Sequence, residues 1–237
     1  MSSKPLRANL EPAPSRRTTS RRQLTCLALG RHHLTNRSWV ELLQLEIDER
    51  YWSRVLEETS LNQEKLRIFG REVQTPRLTG WYGEPGCSYS YSGRRFSPKP
   101  WTSALSELRE RVESHTRIQF NSVLVNYYRD GNDSMGEHAD KEPELGPSAP
   151  DNVLIASLSL GSPRRFLLRT RDKTVNYEMR LGNGSLLVMG GATQIEFVHA
   201  VPKTKQRVGP RLNLTFRIVV EPQPRQHPPA HQTSAEA

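Results

Sequence analysis

The amino-acid sequence predicts an α+β protein, mainly β, in which a double-stranded β-helix, or jelly roll, is flanked by helices. Two observations lead to this fold class. In the first half of the chain, two segments repeat apolar residues at helical spacing. After Phe120 the chain becomes a series of short segments rich in β-branched and aromatic residues, separated by Gly, Pro, Asn and Asp clusters. Such a series is typical of two packed antiparallel sheets.

Both ends of the chain are predicted to be disordered tails around a single domain. The first 23 residues are rich in Pro, Ser, Thr and Arg and hold few large apolar side chains, so they cannot bury enough surface to offset the entropy of ordering. We assign residues 1–35 to a basic tail, 36–221 to the domain and 222–237 to a second tail. The arginine pairs of the first tail fit a nuclear-import signal, a phosphate-binding arm, an organellar presequence or a simple solvated segment.

The two predicted helices precede the strand region. The first covers the apolar positions from Trp39 to Leu56, after a possible cap at Asn36 or Ser38. The second follows Pro100 and contains Leu105, Leu108 and Val112 on one side. Both are interpreted as helices that pack on the outside of the sheets.

The strand region is predicted to contain six main strands. Each is a short run with high β-propensity that is bounded by turn residues. They are Ser122 to Tyr128, Val153 to Leu160, Arg165 to Arg169, Val175 to Leu181, Ser185 to Met189 and Leu212 to Val220.

Charge and cysteine content limit the partners and the compartment. The chain has 34 Lys and Arg against 25 Asp and Glu, a formal net charge of +9, which favours an anionic partner such as nucleic acid or simply a well-solvated surface. The two cysteines are far apart, so neither a disulfide framework nor a thiolate zinc site is indicated. The apolar run from Leu24 to Leu29 is too short for a membrane span. We expect a soluble intracellular monomer, in the nucleus of a eukaryote or otherwise in the cytoplasm, with no membrane partner.

Three residues form a candidate metal site. His138 and Asp140 are two positions apart on an extended segment, so their side chains point to the same side. His199 follows a later strand and offers a third ligand. Two histidines and one carboxylate form the facial triad that leaves open positions on non-haem iron. The alternative is that these histidines are hydrogen-bonded structural residues.

The last strand carries a polar face that suits an anionic ligand. Alternation places four polar residues on one face and three apolar residues on the other. The polar residues are Arg211, Asn213, Thr215 and Arg217. Arginines inside a jelly roll are costly unless an anion meets them. A dicarboxylate such as 2-oxoglutarate could chelate iron at one end and receive a bidentate guanidinium, for which we expect Arg217, at the other. The alternative is an edge strand whose arginines face solvent.

The strand from Ser122 to Tyr128 repeats this pattern. Asn126 and Tyr128 share a face, and both can donate hydrogen bonds to a carboxylate. A structural role, capping a strand or lining the core, fits them equally well.

Several segments together resemble the successive motifs of the AlkB family, and most closely its DNA-repair branch. The likeness runs from about residue 68 to residue 219, in matching order and spacing. The segments are residues 74–83, 126–131, 138–145, 155–161, 184–189 and 210–217.

This resemblance implies an iron(II)- and 2-oxoglutarate-dependent dioxygenase that demethylates N1-methyladenine and N3-methylcytosine in DNA and releases formaldehyde. Iron would be held by the triad. The residues expected to hold 2-oxoglutarate are Asn126, Tyr128, Arg211, Asn213 and Arg217. An RNA demethylase, an enzyme of the same chemistry that acts on a protein or small molecule, and an inactive nucleic-acid-binding module remain alternatives.

The resemblance also suggests residues that contact the substrate. Tyr89 and Tyr91 match aromatic residues that line a base pocket, although an ordinary buried pair is the competing interpretation. Phe69 matches a hairpin that wedges the base stack, or it belongs to the core. Arg77 matches a residue near the flipped base, and Glu142 is counted with these substrate-binding candidates. The chain departs from the repair-branch pattern at Glu137, Lys141 and Phe197, which leaves base preference and the choice between DNA and RNA open.

Overall fold

Two β-sheets hold most of the chain. The computed structural model describes residues 24–68, 71–91, 94–146 and 151–220. In chain order the strands are β1 Leu24–Cys26, β2 Gly30–His33, β3 Ser38–Gln44, β4 Lys65–Ile68, β5 Arg71–Gln74, β6 Leu78–Gly83, β7 Tyr89–Tyr91, β8 Arg94–Phe96, β9 Ser122–Tyr128, β10 Met135–His138, β11 Ile155–Gly161, β12 Arg164–Thr170, β13 Asn176–Leu181, β14 Ser185–Gly191, β15 Phe197–Val201 and β16 Arg211–Arg217. The helices are α1 Arg50–Glu58, α2 Ser103–Thr116 and α3 Thr193–Glu196.

The larger sheet has the strand order β2-β3-β14-β11-β16-β9-β6, and the smaller has the order β1-β13-β12-β15-β10. Two hairpins, β4-β5 and β7-β8, form separate two-stranded sheets. This arrangement confirms the predicted mainly β fold, which is consistent with a jelly roll.

The larger sheet buries apolar side chains on both of its faces. One face packs against α1 and α2, and its apolar cluster includes Val55, Leu105 and Leu214. The other face turns toward the smaller sheet, and that second cluster includes Ile155 from the larger sheet and Leu168 from the smaller. The polar residues of β16 therefore lie between the two sheets, because they alternate with the apolar side chains that face the helices.

The second predicted helix is present as α2. All six predicted strands are present too, with ends that differ by three residues or fewer. The first predicted helix is wrong in its first half. Ser38–Gln44 is a strand that pairs along its whole length with β14, and the helix begins only at Arg50. Val40 and Leu42 of this strand pack between the sheets while Trp39 and Leu43 pack on the helix side. A strand that is covered on both faces has a continuous apolar run, which resembles a helical pattern over a short length.

The predicted start of the domain also requires correction. Gly30–His33 pairs with β3, and Leu24–Cys26 pairs in parallel with β13, so these two segments belong to the sheets rather than to a tail. Residues 1–23 and 221–237, which include the remainder of both predicted tails, lie outside the described residues. None of the described helices combines the length and apolar character that crossing a membrane requires.

Candidate active site

The three predicted metal ligands converge at one edge of the smaller sheet. Pairing of β10 with β15 places His138 opposite His199, and Asp140 follows two residues later. One ligand atom of each side chain lies within 4.8 Å of the others. His138 Nε2 is 3.7 Å from Asp140 Oδ1, and the two imidazole centroids are 4.1 Å apart. Three donors at these separations can bind one ion and leave other coordination positions open.

Neighbouring groups orient both imidazoles. Nδ1 of His138 lies 2.9 Å from the carbonyl oxygen of Gly136. When Nδ1 donates its proton to that oxygen, Nε2 keeps a lone pair for a metal. The ring of Phe166 stacks on His199 at a centroid distance of 5.4 Å and an angle of 20°. The metal ligands are therefore fixed before any ion binds.

Burial keeps the two histidines neutral. It lowers the pKa of His199 to about 3, and the nearby His138 adds to this effect. Burial also lowers the pKa of His138. For Asp140, burial acts to raise the pKa, but the charge of Arg217 outweighs it and the pKa lies below its ordinary value. Two neutral imidazoles and one carboxylate are the protonation states that a divalent metal requires.

Arg217 lies at the metal end of the site, beside Asp140, and its predicted contact with the far carboxylate of 2-oxoglutarate stays a prediction. Its Nη2 is 3.1 Å from Asp140 Oδ2, and both side chains are buried. The guanidinium therefore compensates the charge of a metal ligand. Sequence alternation correctly placed this arginine on the inner face, but the contact depends on the position of the loop that carries Asp140.

Arg211, six residues earlier on the same face, is the arginine at the other end. It is 1% exposed, and its Nη2 donates to Ser159 Oγ at 2.8 Å and to Asn213 Oδ1 at 2.7 Å. Its Nε and Nη1 are buried without a hydrogen-bond partner of good geometry in the described part of the chain. Burial lowers the pKa of Arg211 to about 10, although Tyr128 opposes this effect. A buried cation with two unused donors suits the far carboxylate of a 2-oxoglutarate molecule.

Between the two arginines, the site is lined by polar side chains that are hydrogen-bonded to one another. Asn213 accepts a hydrogen bond from Ser157 Oγ at 3.0 Å and donates to Thr215 Oγ1 at 2.7 Å. Asn126 pairs with Asn213 across β9 and β16. These residues belong to one pocket that also contains the triad. Its lining residues are Asn126, Tyr128, Met135, His138, Asp140, Ser157, Phe166, Met189, His199, Val201, Asn213, Thr215 and Arg217.

The predicted substrate residues have different outcomes. Arg77 is buried, and its Nε donates to Asn126 Oδ1 at 2.8 Å, so it holds the side chain of a residue that lines the pocket. Glu142 has a buried Oε2 without a hydrogen-bond partner in the described chain, and burial raises its pKa although Arg217 opposes this. Tyr89 and Tyr91 lie on β7, which pairs with β8, so their backbone forms a strand as expected. Phe69 lies outside the described residues, between β4 and β5.

Sequence reasoning missed several residues of this site. Ser157 and Ser159 alternate with apolar residues on β11 in the same way as the polar residues on β16, so this pattern could have identified them. Gln194, which accepts a hydrogen bond from the backbone N–H of Asp140, has no comparable signal because it lies in a helical turn between two strands. Phe166 has none either, since an isolated aromatic residue on a strand is ordinary core.

Several known proteins are similar to this chain in sequence or in fold. The family model described as the 2OG-Fe(II) oxygenase superfamily matches residues 40–217. DNA oxidative demethylase ALKBH2 of Mus musculus is 41% identical over 164 residues, which are 66% of this chain and 67% of that protein. The protein of the same name from Homo sapiens is 38% identical over 164 residues, 66% of this chain and 61% of that protein.

Two further matches cover a second relative and a solved structure. Alpha-ketoglutarate-dependent dioxygenase alkB homolog 3 of Mus musculus is 44% identical over 177 residues, 69% of this chain and 59% of that protein. The chain thus spans about three fifths to two thirds of the length of these relatives. A solved structure titled "The structure of OsALKBH1" superimposes with a TM-score of 0.54 at 18% identity and covers 79% of this chain and 99% of its own, which supports the fold.

Proposed function

The chain belongs to the 2OG-Fe(II) oxygenase superfamily, and we propose that it is an iron(II)- and 2-oxoglutarate-dependent dioxygenase that demethylates alkylated bases in DNA. The proposed lesions are N1-methyladenine and N3-methylcytosine, and the proposed second product is formaldehyde. Relatives named DNA oxidative demethylase, at 38% and 41% identity, support the choice of DNA. We further propose that the protein acts as a monomer, in the nucleus if the organism is a eukaryote and otherwise in the cytoplasm.

One observation carries the proposal. A triad of two histidines and one carboxylate lines one pocket with Asn213. Asn213 accepts a hydrogen bond from the buried Arg211, whose Nε and Nη1 have no hydrogen bond of good geometry among the described residues. The triad alone would fit many divalent metals and reactions. A triad with a buried cation at the other end of a row of polar side chains fits a metal that is chelated by one end of a dicarboxylate.

Each part of the site has a defined task in this proposal. Bound Fe(II) and 2-oxoglutarate, with dioxygen, supply an oxidant that can attack a methyl C–H bond. His138, Asp140 and His199 hold the metal, and Arg217 keeps the Asp140 carboxylate ionised and oriented. Arg211 receives the far carboxylate, with Asn126 and Tyr128 as further donors on the adjacent strand. Phe166, Met189 and Val201 exclude water from the pocket wall.

Glu142 supports a base that carries positive charge. Its carboxyl group is largely buried near the metal ligands, and one oxygen has no hydrogen-bond partner among the described residues. Bases methylated at N1 of adenine or N3 of cytosine are cations at neutral pH, so a buried acceptor would favour them over the unmodified bases. Tyr89 and Tyr91 are proposed to stack against the base, which must leave the helix to reach the metal.

Mass spectrometry of methylated oligonucleotides tests this function directly. With Fe(II), 2-oxoglutarate and ascorbate, N1-methyladenine and N3-methylcytosine in DNA should each lose one methyl group, while formaldehyde and succinate form in equal amounts. The His199→Ala variant serves as the inactive control.

The other outcomes separate the alternatives. Faster demethylation of the matching RNA oligonucleotides would assign an RNA demethylase. Succinate formation without loss of any methyl group would point to a different substrate class. Tight oligonucleotide binding without any succinate would support the inactive binding module.

A further inference from the structure

Gln194 is a fully buried polar residue that no catalytic step described above uses. Its side chain is 0% exposed, and it lies in α3, the short helix between β14 and β15. Its Oε1 accepts a hydrogen bond from the backbone N–H of Asp140 at 3.0 Å. A backbone N–H can only donate, so the amide oxygen must face Asp140. The amide nitrogen then lies 3.7 Å from Met189 Sδ, a weak acceptor.

The local pairing of the sheet explains why this hydrogen bond is needed. The register of β10 and β15 shifts between Met135 and His138, and the pairing ends where His138 meets His199. Asp140 lies two residues beyond this end, and it is only 3% exposed. A buried backbone N–H that has left the strand ladder costs free energy unless another acceptor meets it. The side chain of Gln194 supplies that acceptor, in place of the backbone carbonyl of a neighbouring strand.

The same hydrogen bond connects the two segments that carry the metal ligands. Gln194 precedes His199 by five residues, and the next strand after α3 carries that ligand. The neighbouring Thr193 anchors α3 to the larger sheet, because its Oγ1 donates to the carbonyl of Gly190 at 2.6 Å and to that of Trp39 at 3.2 Å. Gln194 therefore fixes the Asp140 backbone relative to an anchored turn.

We propose that Gln194 is a positioning residue, which holds Asp140 at the separation from His138 and His199 that metal binding requires. This inference rests on the proposed metal site. Arg217 already restrains one carboxylate oxygen of Asp140, but a side-chain contact alone leaves the backbone free to shift. If Gln194 only filled space, an apolar residue of similar volume would serve as well, and would avoid the cost of burying an amide.

The test is a Co(II) titration of the metal-free full-length protein, followed by visible absorption. Gln194→Leu keeps the volume and removes the acceptor, and we expect its Co(II) dissociation constant to rise roughly 10- to 100-fold, the effect typical of groups that orient metal ligands. Gln194→Glu keeps an oxygen at the same place and should restore the affinity. Thr193→Ser changes the same turn but keeps the hydroxyl that anchors it, and its affinity should match that of the parent.

The possible outcomes are distinguishable. Equal Co(II) affinity of Gln194→Leu and the parent would overturn the inference, as would an equal loss in Gln194→Leu and Thr193→Ser. Failure of the parent itself to bind Co(II) would overturn the proposed metal site, and this inference with it. Should Gln194→Leu not fold, Gln194→Asn takes its place, because its shorter side chain keeps the amide but withdraws the oxygen. Parent-like affinity of that variant would also reject the inference.

Discussion

Arg211 and Arg217 lie on the same face of one strand, yet their surroundings assign them different tasks. Arg217 contacts a metal ligand, whereas Arg211 has two buried donors that make no hydrogen bond of good geometry with the described residues. Alternation along the strand predicted that both point inward, and this was correct. It could not predict which arginine faces the metal, because that depends on the loop containing Asp140, which is 77 residues earlier in the chain.

The first prediction concerns this division. Arg211→Lys keeps the charge but removes the bidentate guanidinium, so the half-saturating concentration of 2-oxoglutarate should rise roughly ten- to a hundredfold, as the loss of one charge-assisted hydrogen bond implies. Its Co(II) affinity in the absence of 2-oxoglutarate should stay unchanged. Arg217→Ala should weaken Co(II) binding more than it weakens 2-oxoglutarate binding. Titrations with Co(II) and with 2-oxoglutarate measure both affinities of each variant. Equal changes in the two variants would contradict the prediction.

The second prediction concerns the triad. His138→Ala, Asp140→Ala and His199→Ala each remove one ligand and should abolish succinate formation, because two remaining ligands hold iron weakly. Circular dichroism should show that the fold persists. His115→Ala is the matched control, since this histidine is exposed on α2. Parent-like succinate formation by any triad variant would contradict the metal assignment.

At the scale of elements, local patterns predicted the strands better than the first helix. Strands β9 and β16 were found because each has an apolar face toward the helices and a polar face toward the pocket. Strand β3 was misread because both of its faces are covered, one by the helices and one by the smaller sheet. Such a strand has little alternation to detect, and its pairing with β2 and β14 reveals it.

The hairpin formed by β4 and β5 carries the third prediction. Phe69 is proposed to act as a wedge that fills the gap left by a flipped base. Phe69→Ala should therefore slow demethylation in duplex DNA and leave the rate on single-stranded DNA nearly unchanged. If Phe69 is instead a core residue, both rates should fall together with the melting temperature. Two rates and one melting curve from the same preparation separate these cases.

For the whole molecule, the buried histidines predict sensitivity to acid. His199 has a pKa of about 3 in the folded protein, below the ordinary value of about 6.5 expected after unfolding. Between these values the unfolded chain binds the extra proton, so stability present at neutral pH is lost as the pH falls. The buried Glu142, with a raised pKa, opposes this effect at the acidic end.

The fourth prediction follows from this linkage. The free energy of unfolding of the metal-free protein should decrease between about pH 6 and about pH 4, with a slope of up to about 1.4 kcal/mol per pH unit for each such histidine. His199→Gln lacks the titrating group and should show a smaller slope. Urea unfolding at several pH values measures both proteins, and equal slopes would exclude His199 as a cause.

The residues that would bind iron and 2-oxoglutarate are divided between the two sheets. The histidines lie on β10 and β15 of the smaller sheet, and the arginines on β16 of the larger one. A metal alone would be bound by β10, β15 and the loop that carries Asp140, whereas 2-oxoglutarate bound to that metal would also contact β16 of the larger sheet. Amide hydrogen exchange should therefore slow in β10 and β15 when Co(II) is added. Hydrogen exchange in β16 should slow only when 2-oxoglutarate is present as well. The co-substrate would then stabilise the packing of the two sheets against each other.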